Sequence, residues 1–182
     1  MDDKINESAD SRKAGSIIML SGPVGAGKTT VARQLIPLMP GQVSYIEGDK
    51  FWSFIAKDDG MEVRENFRTI MRSMTAAAIP FARTGYNVLL DFSFPPGFLK
   101  AANKIIKEIP LSFVMLLPTE SVCAERVAKR PEGRIKDYSN YSYLYSLFEG
   151  EDRFIIRNDQ IEPSAVANDI KEGFDAGRFL VW

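Results

Sequence analysis

The segment GPVGAGKTT (residues 22–30) constrains the fold of this chain more than any other feature. It follows an apolar run, SIIMLS (residues 16–21), and leads into a segment of helical character that begins at Lys28. Its glycines can adopt backbone conformations that other residues avoid, which lets successive N–H groups of a loop point inward around an anion. A helix after the loop adds the partial positive charge of its N-terminus. The segment therefore predicts a strand, an anion-binding loop and a helix, in that order.

Gly22, Gly27, Lys28 and Thr29 have the spacing of the phosphate-binding loop motif G-x-x-x-x-G-K-[ST]. In such a loop the lysine contacts the β- and γ-phosphates of a nucleotide, and the threonine hydroxyl is a suitable ligand for magnesium. A glycine-rich turn that fits the pattern by chance is the weaker interpretation, because the motif lies between a strand-like and a helix-like segment. The expected nucleotide-binding residues are Gly22, Pro23, Val24, Gly25, Ala26, Gly27, Lys28, Thr29 and Thr30.

Short apolar runs alternate with longer amphipathic segments along the rest of the chain. The strand candidates are residues 16–21, 43–47, 86–92, 111–117 and 153–158. The helix candidates are residues 28–38, 62–82, 98–108, 119–129, 140–148 and 164–179, with Thr119 placed to cap the fourth. This alternation predicts an α/β sandwich with a largely parallel sheet, a fold in which ligands bind beyond the carboxyl ends of the strands.

The composition narrows the possible chemistry. The 182 residues include no histidine and one cysteine, which excludes Ser-His-Asp and Cys-His catalysis, histidine-ligated zinc and an intrachain disulfide. A net charge of −1 argues against nucleic acid as a partner. No apolar run approaches the roughly 20 residues of a membrane span. We interpret residues 1–14 as a flexible polar tail and residues 15–182 as one domain of a cytoplasmic protein.

Carboxylates follow two of the predicted strands. In YIEGDKFW (residues 45–52), Asp49 is a candidate base for an attacking hydroxyl, and Glu47 is a candidate to hold metal-bound water. A solvated acidic turn is the alternative. Asp91 ends the apolar run NVLLD, where an acid can hold magnesium directly or through water. A turn cap before PPG explains Asp91 equally well.

Arginines recur at intervals of four after the predicted fourth strand, in ERVAKRPEGRIKDY (residues 125–138). Arg126 and Arg130 share one face of the predicted helix, and Arg134 follows it in a loop. A guanidinium can stack on a base or neutralise charge on a transferring phosphoryl group, so we favour a functional role in a mobile lid. The alternative is an exposed basic helix end.

Other residues near the predicted strand ends are candidates for contact with a substrate. Arg64 and Arg68 belong to a four-spaced row on the predicted second helix, where a solvated flank is equally compatible. Aromatic residues cluster after the second and third strands and serve either as core or as a cleft wall. The candidate substrate contacts are Asp49, Phe51, Trp52, Arg64, Arg68, Asp91 and Arg134.

Four segments together resemble the small P-loop kinases: GPVGAGKTT, EGD, ERVAKRPEGR and NDQIEPSAVANDI. This group includes shikimate and gluconate kinases, chloramphenicol phosphotransferases, zeta-toxin-like kinases and adenylate kinases. The resemblance covers about residues 16–176. It implies a three-layer sandwich with a parallel five-stranded sheet in the order 2-3-1-4-5 and a small lid at about residues 129–140.

The resemblance also implies an activity, the transfer of the γ-phosphoryl group of ATP, with Mg²⁺, onto a hydroxyl of a small molecule. Lys28, Asp49 and Arg130 are then the catalytic candidates. Arg126 is expected to stack on adenine, Arg130 to reach the phosphates, and the turn at Asn158 and Asp159 to contact the base. The metal candidates are Thr29, Glu47 and Asp91.

The chain departs from particular members of that group. DFSFPPG lacks the arginine usual in nucleotide-monophosphate kinases after the third strand, and the histidine of the gluconate kinase pattern is missing. The identity of the acceptor therefore stays open. Two other functions are compatible with the sequence: a nucleotide or polynucleotide 5′-hydroxyl kinase, and an ATP-hydrolysing switch or assembly factor.

Overall fold

The computed structural model describes residues 14–57, 60, 62–129, 138 and 145–182. The strands in these residues are β1 (Ile17–Ser21), β2 (Val43–Glu47), β3 (Asn87–Asp91), β4 (Leu111–Leu116) and β5 (Ile155–Ile156). The α-helices are α1 (Lys28–Leu35), α2 (Val63–Arg83), α3 (Leu99–Ile106), α4 (Glu120–Ala128) and α5 (Pro163–Asp175). The predicted tail at 1–14 and lid at 129–140 lie outside the described residues, apart from Ala14, Lys129 and Tyr138.

The strands form one parallel sheet in the order β2-β3-β1-β4-β5, which confirms the predicted topology. β1 lies in the middle of the sheet, and all five of its residues are buried. β4 is buried along its whole length as well. Their continuous apolar sequences suit strands that are covered on both faces.

Four of these five helices form two contacting pairs, α1 with α5 and α2 with α3, and α1 and α2 also contact the strands of the sheet. In α2, Ile70, Met71, Met74 and Ala78 are buried, as the helical spacing of apolar residues in that segment predicts. Val63 and Phe81, which continue the same stripe toward the two ends of the helix, are exposed instead, because the ends of α2 extend beyond the core. None of the helices in the described part of the chain has the length and apolar character needed to cross a membrane.

The edge beside β4 is built from two separate segments. β5 pairs only with Met115 and Leu116, and it is shorter than the predicted strand at 153–158 because residues 152–154 form a turn of 3-10 helix. Nearer the start of β4, the Phe113 N–H donates to the carbonyl of Phe179 (2.9 Å). Residues 179–182 thus pair with the half of β4 that β5 leaves uncovered.

Candidate active site

The loop between β1 and α1 requires glycine for two reasons. Gly22, Gly25 and Gly27 have φ angles of +139°, +87° and +91°, which side chains disfavour. A side chain would also collide with its neighbours. A Cβ at Gly22 would lie 2.2 Å from the carbonyl oxygen of Leu116, and a Cβ at Gly25 would lie 2.4 Å from the carbonyl oxygen of Cys123. The loop is therefore held closely between the end of β4 and helix α4.

Lys28 lies at the first position of α1 with its ammonium group folded back over the loop. Its Nζ donates to the carbonyl oxygens of Gly22 and Pro23, both at 3.0 Å, and to the Ser93 hydroxyl at 3.1 Å. Ser93, which the sequence analysis missed, brings the segment after β3 to the loop. Its place two residues beyond Asp91 is the signal that could have identified it.

Thr29 and Asp91 are in direct contact. Asp91 is 3% exposed, and its Oδ2 accepts hydrogen bonds from the Thr29 hydroxyl (2.7 Å) and from the Tyr45 hydroxyl (2.8 Å). Burial, followed by the charge of Asp91, raises the pKa of Tyr45, so its phenol is a neutral donor. Tyr45 is a second residue that the sequence analysis missed. The signal was its place two residues before Glu47, on the same face of the strand.

Glu47 and Asp49 lie at the same edge of the sheet as Asp91. Glu47 is the residue of β2 that faces Asp91 in the strand register, and its carboxylate is 3.4 Å from the ammonium of Lys50. Asp49 is exposed in a 3-10 segment, Gly48–Phe54, that begins where β2 ends. The predicted carboxylates thus follow neighbouring strands at the edge where the glycine loop begins.

Arg126 and Asn158 hold the loop from its other side. The Asn158 Nδ2 donates to the Ala26 carbonyl at 2.9 Å, and an Arg126 nitrogen reaches the same oxygen at 3.4 Å. Arg126 also donates to the carbonyl oxygens of Asn158 (2.8 Å) and Asp159 (3.0 Å). Asn158 is 3% exposed, and its Oδ1 has no hydrogen-bond partner among the described residues. Helix α4 and the segment after β5 therefore meet at one loop carbonyl.

Thr119 is the N-cap residue of α4, as predicted, but its side chain makes no hydrogen bond to the first turn of the helix. Its hydroxyl and its N–H both donate to Asp159 Oδ1 instead, each at 2.7 Å. A carboxylate is a stronger acceptor than a hydroxyl, and here it receives two donors from one residue. These hydrogen bonds lower the pKa of Asp159.

The candidate substrate contacts are spread over the region beyond β2 and β3. Phe51 and Trp52 are half-buried against the core, whereas Arg64 and Arg68 are exposed in the first turns of α2, with Arg68 paired to Glu65. Arg130 and Arg134 lie outside the described residues.

Most of the neighbouring aromatic residues belong to the core rather than to a cleft wall. Phe92, Phe94 and Phe98 are at most 8% exposed. The ring of Phe67 stacks on that of Phe92 with 4.8 Å between centroids, and so joins the start of α2 to the segment after β3.

Comparison with known proteins adds two findings. A protein-family model described as an AAA domain matches residues 17–141. No curated protein matches the chain.

Several solved structures are similar over nearly their whole length. The APS kinase of Mycobacterium tuberculosis, in complex with AMPPNP and APS, has a TM-score of 0.69 at 19% identity, covering 89% of this chain and 98% of that one. A sugar kinase from a Janibacter species has a TM-score of 0.67 at 19% identity, with 88% and 95% covered. Shikimate kinase from Bacteroides thetaiotaomicron has a TM-score of 0.62 at 19% identity, with 88% and 98% covered.

The family match spans more than half of the chain and includes the glycine loop and the ends of β2 and β3. The structural similarity, together with the strand order, establishes the fold. The chain therefore belongs to the AAA domain family and has the fold of the small P-loop kinases.

Proposed function

We propose that this protein is a phosphotransferase that moves the γ-phosphoryl group of Mg-ATP onto a hydroxyl of a small molecule. The observation that carries the proposal is the glycine loop, with Lys28 beside it and the Thr29–Asp91 pair at the adjacent strand end. The names of the similar structures, sugar, shikimate and APS kinases, support this class of reaction.

The residues of the site fit a nucleotide with a divalent cation. The Thr29 hydroxyl and the Asp91 carboxylate, 2.7 Å apart, are oxygen donors of the kind that Mg²⁺ prefers. Magnesium is usually held by one or two carboxylates together with substrate phosphates. Consistent with that mode, the described residues contain no cluster of three or more His, Cys, Asp or Glu able to hold a metal. When bound, the cation neutralises charge on the phosphates.

The position of each other side chain in the site suggests its role in the reaction. The Lys28 ammonium stabilises negative charge on the phosphoryl group, and the exposed Asp49 carboxylate accepts the proton of the attacking hydroxyl. A bond forms between the acceptor oxygen and the γ-phosphorus as the bond from that phosphorus to the bridging oxygen breaks. Arg126 and Asn158, which contact the loop at Ala26, stand on the side proposed for the base.

We place the acceptor beyond β2 and β3. Support comes from the carboxylates at that edge and from the half-buried aromatic rings that follow β2. In this proposal Glu47 holds metal-bound water, and Phe51, Trp52, Arg64 and Arg68 contact the acceptor. We also propose that residues 15–182 form one domain and that residues 129–140 serve as a lid carrying Arg130 and Arg134.

A panel of hydroxylated metabolites, nucleosides and 5′-hydroxyl oligonucleotides, assayed for ADP release, tests the proposal. We expect one class of small molecule to stimulate ADP release. Asp49→Asn should then lower kcat by about 10²–10⁴-fold, because it removes the base, while the KM for ATP changes little. Asp152→Asn, which changes an exposed carboxylate next to β5, is the matched control and should leave kcat unchanged.

Each other outcome points to a different function. ATP hydrolysis that no acceptor stimulates would support a nucleotide-dependent switch instead. Stimulation confined to oligonucleotides, and lost steeply with added salt, would support a polynucleotide kinase. If Asp49→Asn keeps the wild-type kcat on the true acceptor, Asp49 is not the base.

A further inference from the structure

Tyr45 makes a contact that none of the roles assigned so far requires. Its hydroxyl donates to Asp91 Oδ2 at 2.8 Å, and the Thr29 hydroxyl donates to the same oxygen at 2.7 Å. The three side chains come from β2, α1 and β3, and β2 and β3 are neighbours in the sheet. Three elements thus meet at one carboxylate oxygen at the proposed cation site.

Two donors on one oxygen restrict how the carboxylate can turn. The terminal torsion of an aspartate is otherwise broad, so a single hydrogen bond leaves the carboxylate plane poorly defined. Both hydrogen bonds that the described residues donate to the Asp91 carboxylate end on Oδ2. The second donor therefore fixes the carboxylate before any ligand binds. Groups in this position commonly set the affinity of a metal site.

Packing alone does not explain a hydroxyl at position 45. The Tyr45 ring packs against the core, and a phenylalanine ring would fill the same space. The hydroxyl adds a hydrogen bond to a carboxylate that is 3% exposed, where the bond is shielded from water. What the hydroxyl supplies is therefore orientation of Asp91.

We infer that Tyr45 is a positioning residue for the cation site, whose hydroxyl orients Asp91 and so links Mg²⁺ binding to nucleotide binding. This inference rests on the proposed function, because it concerns the same site. It predicts that loss of the hydroxyl weakens the binding of the nucleotide only when the metal is present.

Tyr45→Phe tests the inference, since it removes one oxygen and keeps the ring. Tyr86→Phe is the matched control: Tyr86 is also half-buried, its ring contacts Phe81, and it precedes β3 at the opposite end from Asp91. Calorimetric titration with AMPPNP, in Mg²⁺ and separately in EDTA, gives the factor by which the metal tightens binding. We expect this factor to fall about tenfold in Tyr45→Phe and to stay unchanged in Tyr86→Phe.

A kinetic measurement separates positioning from general loss of structure. In Tyr45→Phe the Mg²⁺ concentration for half-maximal turnover should rise about tenfold, while kcat at saturating Mg²⁺ stays within about threefold of wild type. The AMPPNP affinity in EDTA should match wild type, and the thermal midpoint should fall by only a few degrees, because a single hydrogen bond is lost.

Four results would overturn the inference. Tyr45→Phe could keep the wild-type metal factor, or it could lose affinity equally in Mg²⁺ and in EDTA, which is the signature of a packing role. Wild-type protein could also bind AMPPNP equally well in both conditions, which overturns the inference and leaves the nucleotide site standing. Wild-type protein that binds no AMPPNP at all overturns the proposed function together with the inference.

Discussion

At the scale of single residues, Gly25 is constrained twice, by its backbone angle and by its neighbour. Its φ is +87°, and a Cβ there would lie 2.4 Å from the Cys123 carbonyl oxygen. Gly41 has a φ of +68° with nothing within 4 Å of its Cβ position. Comparing substitutions at Gly25 and Gly41 therefore separates the cost of backbone strain from the cost of a steric collision.

We expect Gly25→Ala to lower the free energy of unfolding by more than about 3 kcal/mol, because the collision adds to the strain. Gly41→Ala should cost about 1–2 kcal/mol, since only the left-handed backbone is strained. Urea denaturation of both variants measures the difference. Equal losses would show that the loop can move away from α4.

Sequence motifs indicate some residues of the candidate site and not others, for a physical reason. Lys28 and Thr29 follow from the spacing of one continuous loop, and Asp91 follows from its place after an apolar strand. Tyr45 could not be assigned to Asp91 in the same way, because the two are 46 positions apart and meet only through the register of β2 on β3. Spacing along the chain does not specify that register.

At the scale of secondary structure, the contact between Thr119 and Asp159 joins the turn before α4 to the segment after β5. The folded pKa of Asp159 is lowered, first by the Thr119 hydroxyl and then by the Thr119 N–H. A carboxyl with a lowered folded pKa contributes stability above its unfolded pKa and loses it as the pH falls through the folded pKa.

We expect the thermal midpoint to fall as the pH drops below about 5, partly because this contact is lost. Asp159→Asn should reduce the dependence of the midpoint on pH in that range, because residue 159 no longer takes up a proton. Asp152→Asn controls for the loss of an exposed carboxyl. Identical pH profiles for wild type and Asp159→Asn would contradict the expectation.

The elements themselves were predicted with uneven success. The bounds of β1, β3 and β4 lie within one residue of the predicted runs at each end, because continuous apolar sequence marks strands buried on both faces. The fifth strand was predicted at 153–158 and is only Ile155–Ile156. Its length depends on how much of β4 it can pair with, and part of that edge pairs with residues 179–182 instead.

At the scale of the whole molecule, residues 179–182 close the sheet against solvent at its β5 edge. Phe179 is 1% exposed, and its carbonyl accepts a hydrogen bond from β4. The neighbouring Leu180 is 43% exposed. Adjacent positions of the same segment therefore differ in how much they contribute to the core.

Phe179→Ala should lower the free energy of unfolding by about 3–5 kcal/mol, because it leaves a cavity beside β4. Leu180→Ala should change it by less than about 1 kcal/mol, because that side chain is already hydrated. Denaturant unfolding of both variants gives the comparison. Losses below about 1 kcal/mol in both variants would mean that the segment contributes through its backbone alone.

The two hydrogen bonds to the Ala26 carbonyl oxygen have a consequence for the synthesis of the protein. Their two donors, from Arg126 and Asn158, come 100 and 132 positions later in the chain than the loop they hold. Synthesis must therefore proceed past Asn158 before the loop can be held in its final shape. A chain that stops before that residue would lack the hydrogen bond from Asn158 to the Ala26 carbonyl and leave the glycine loop without that support.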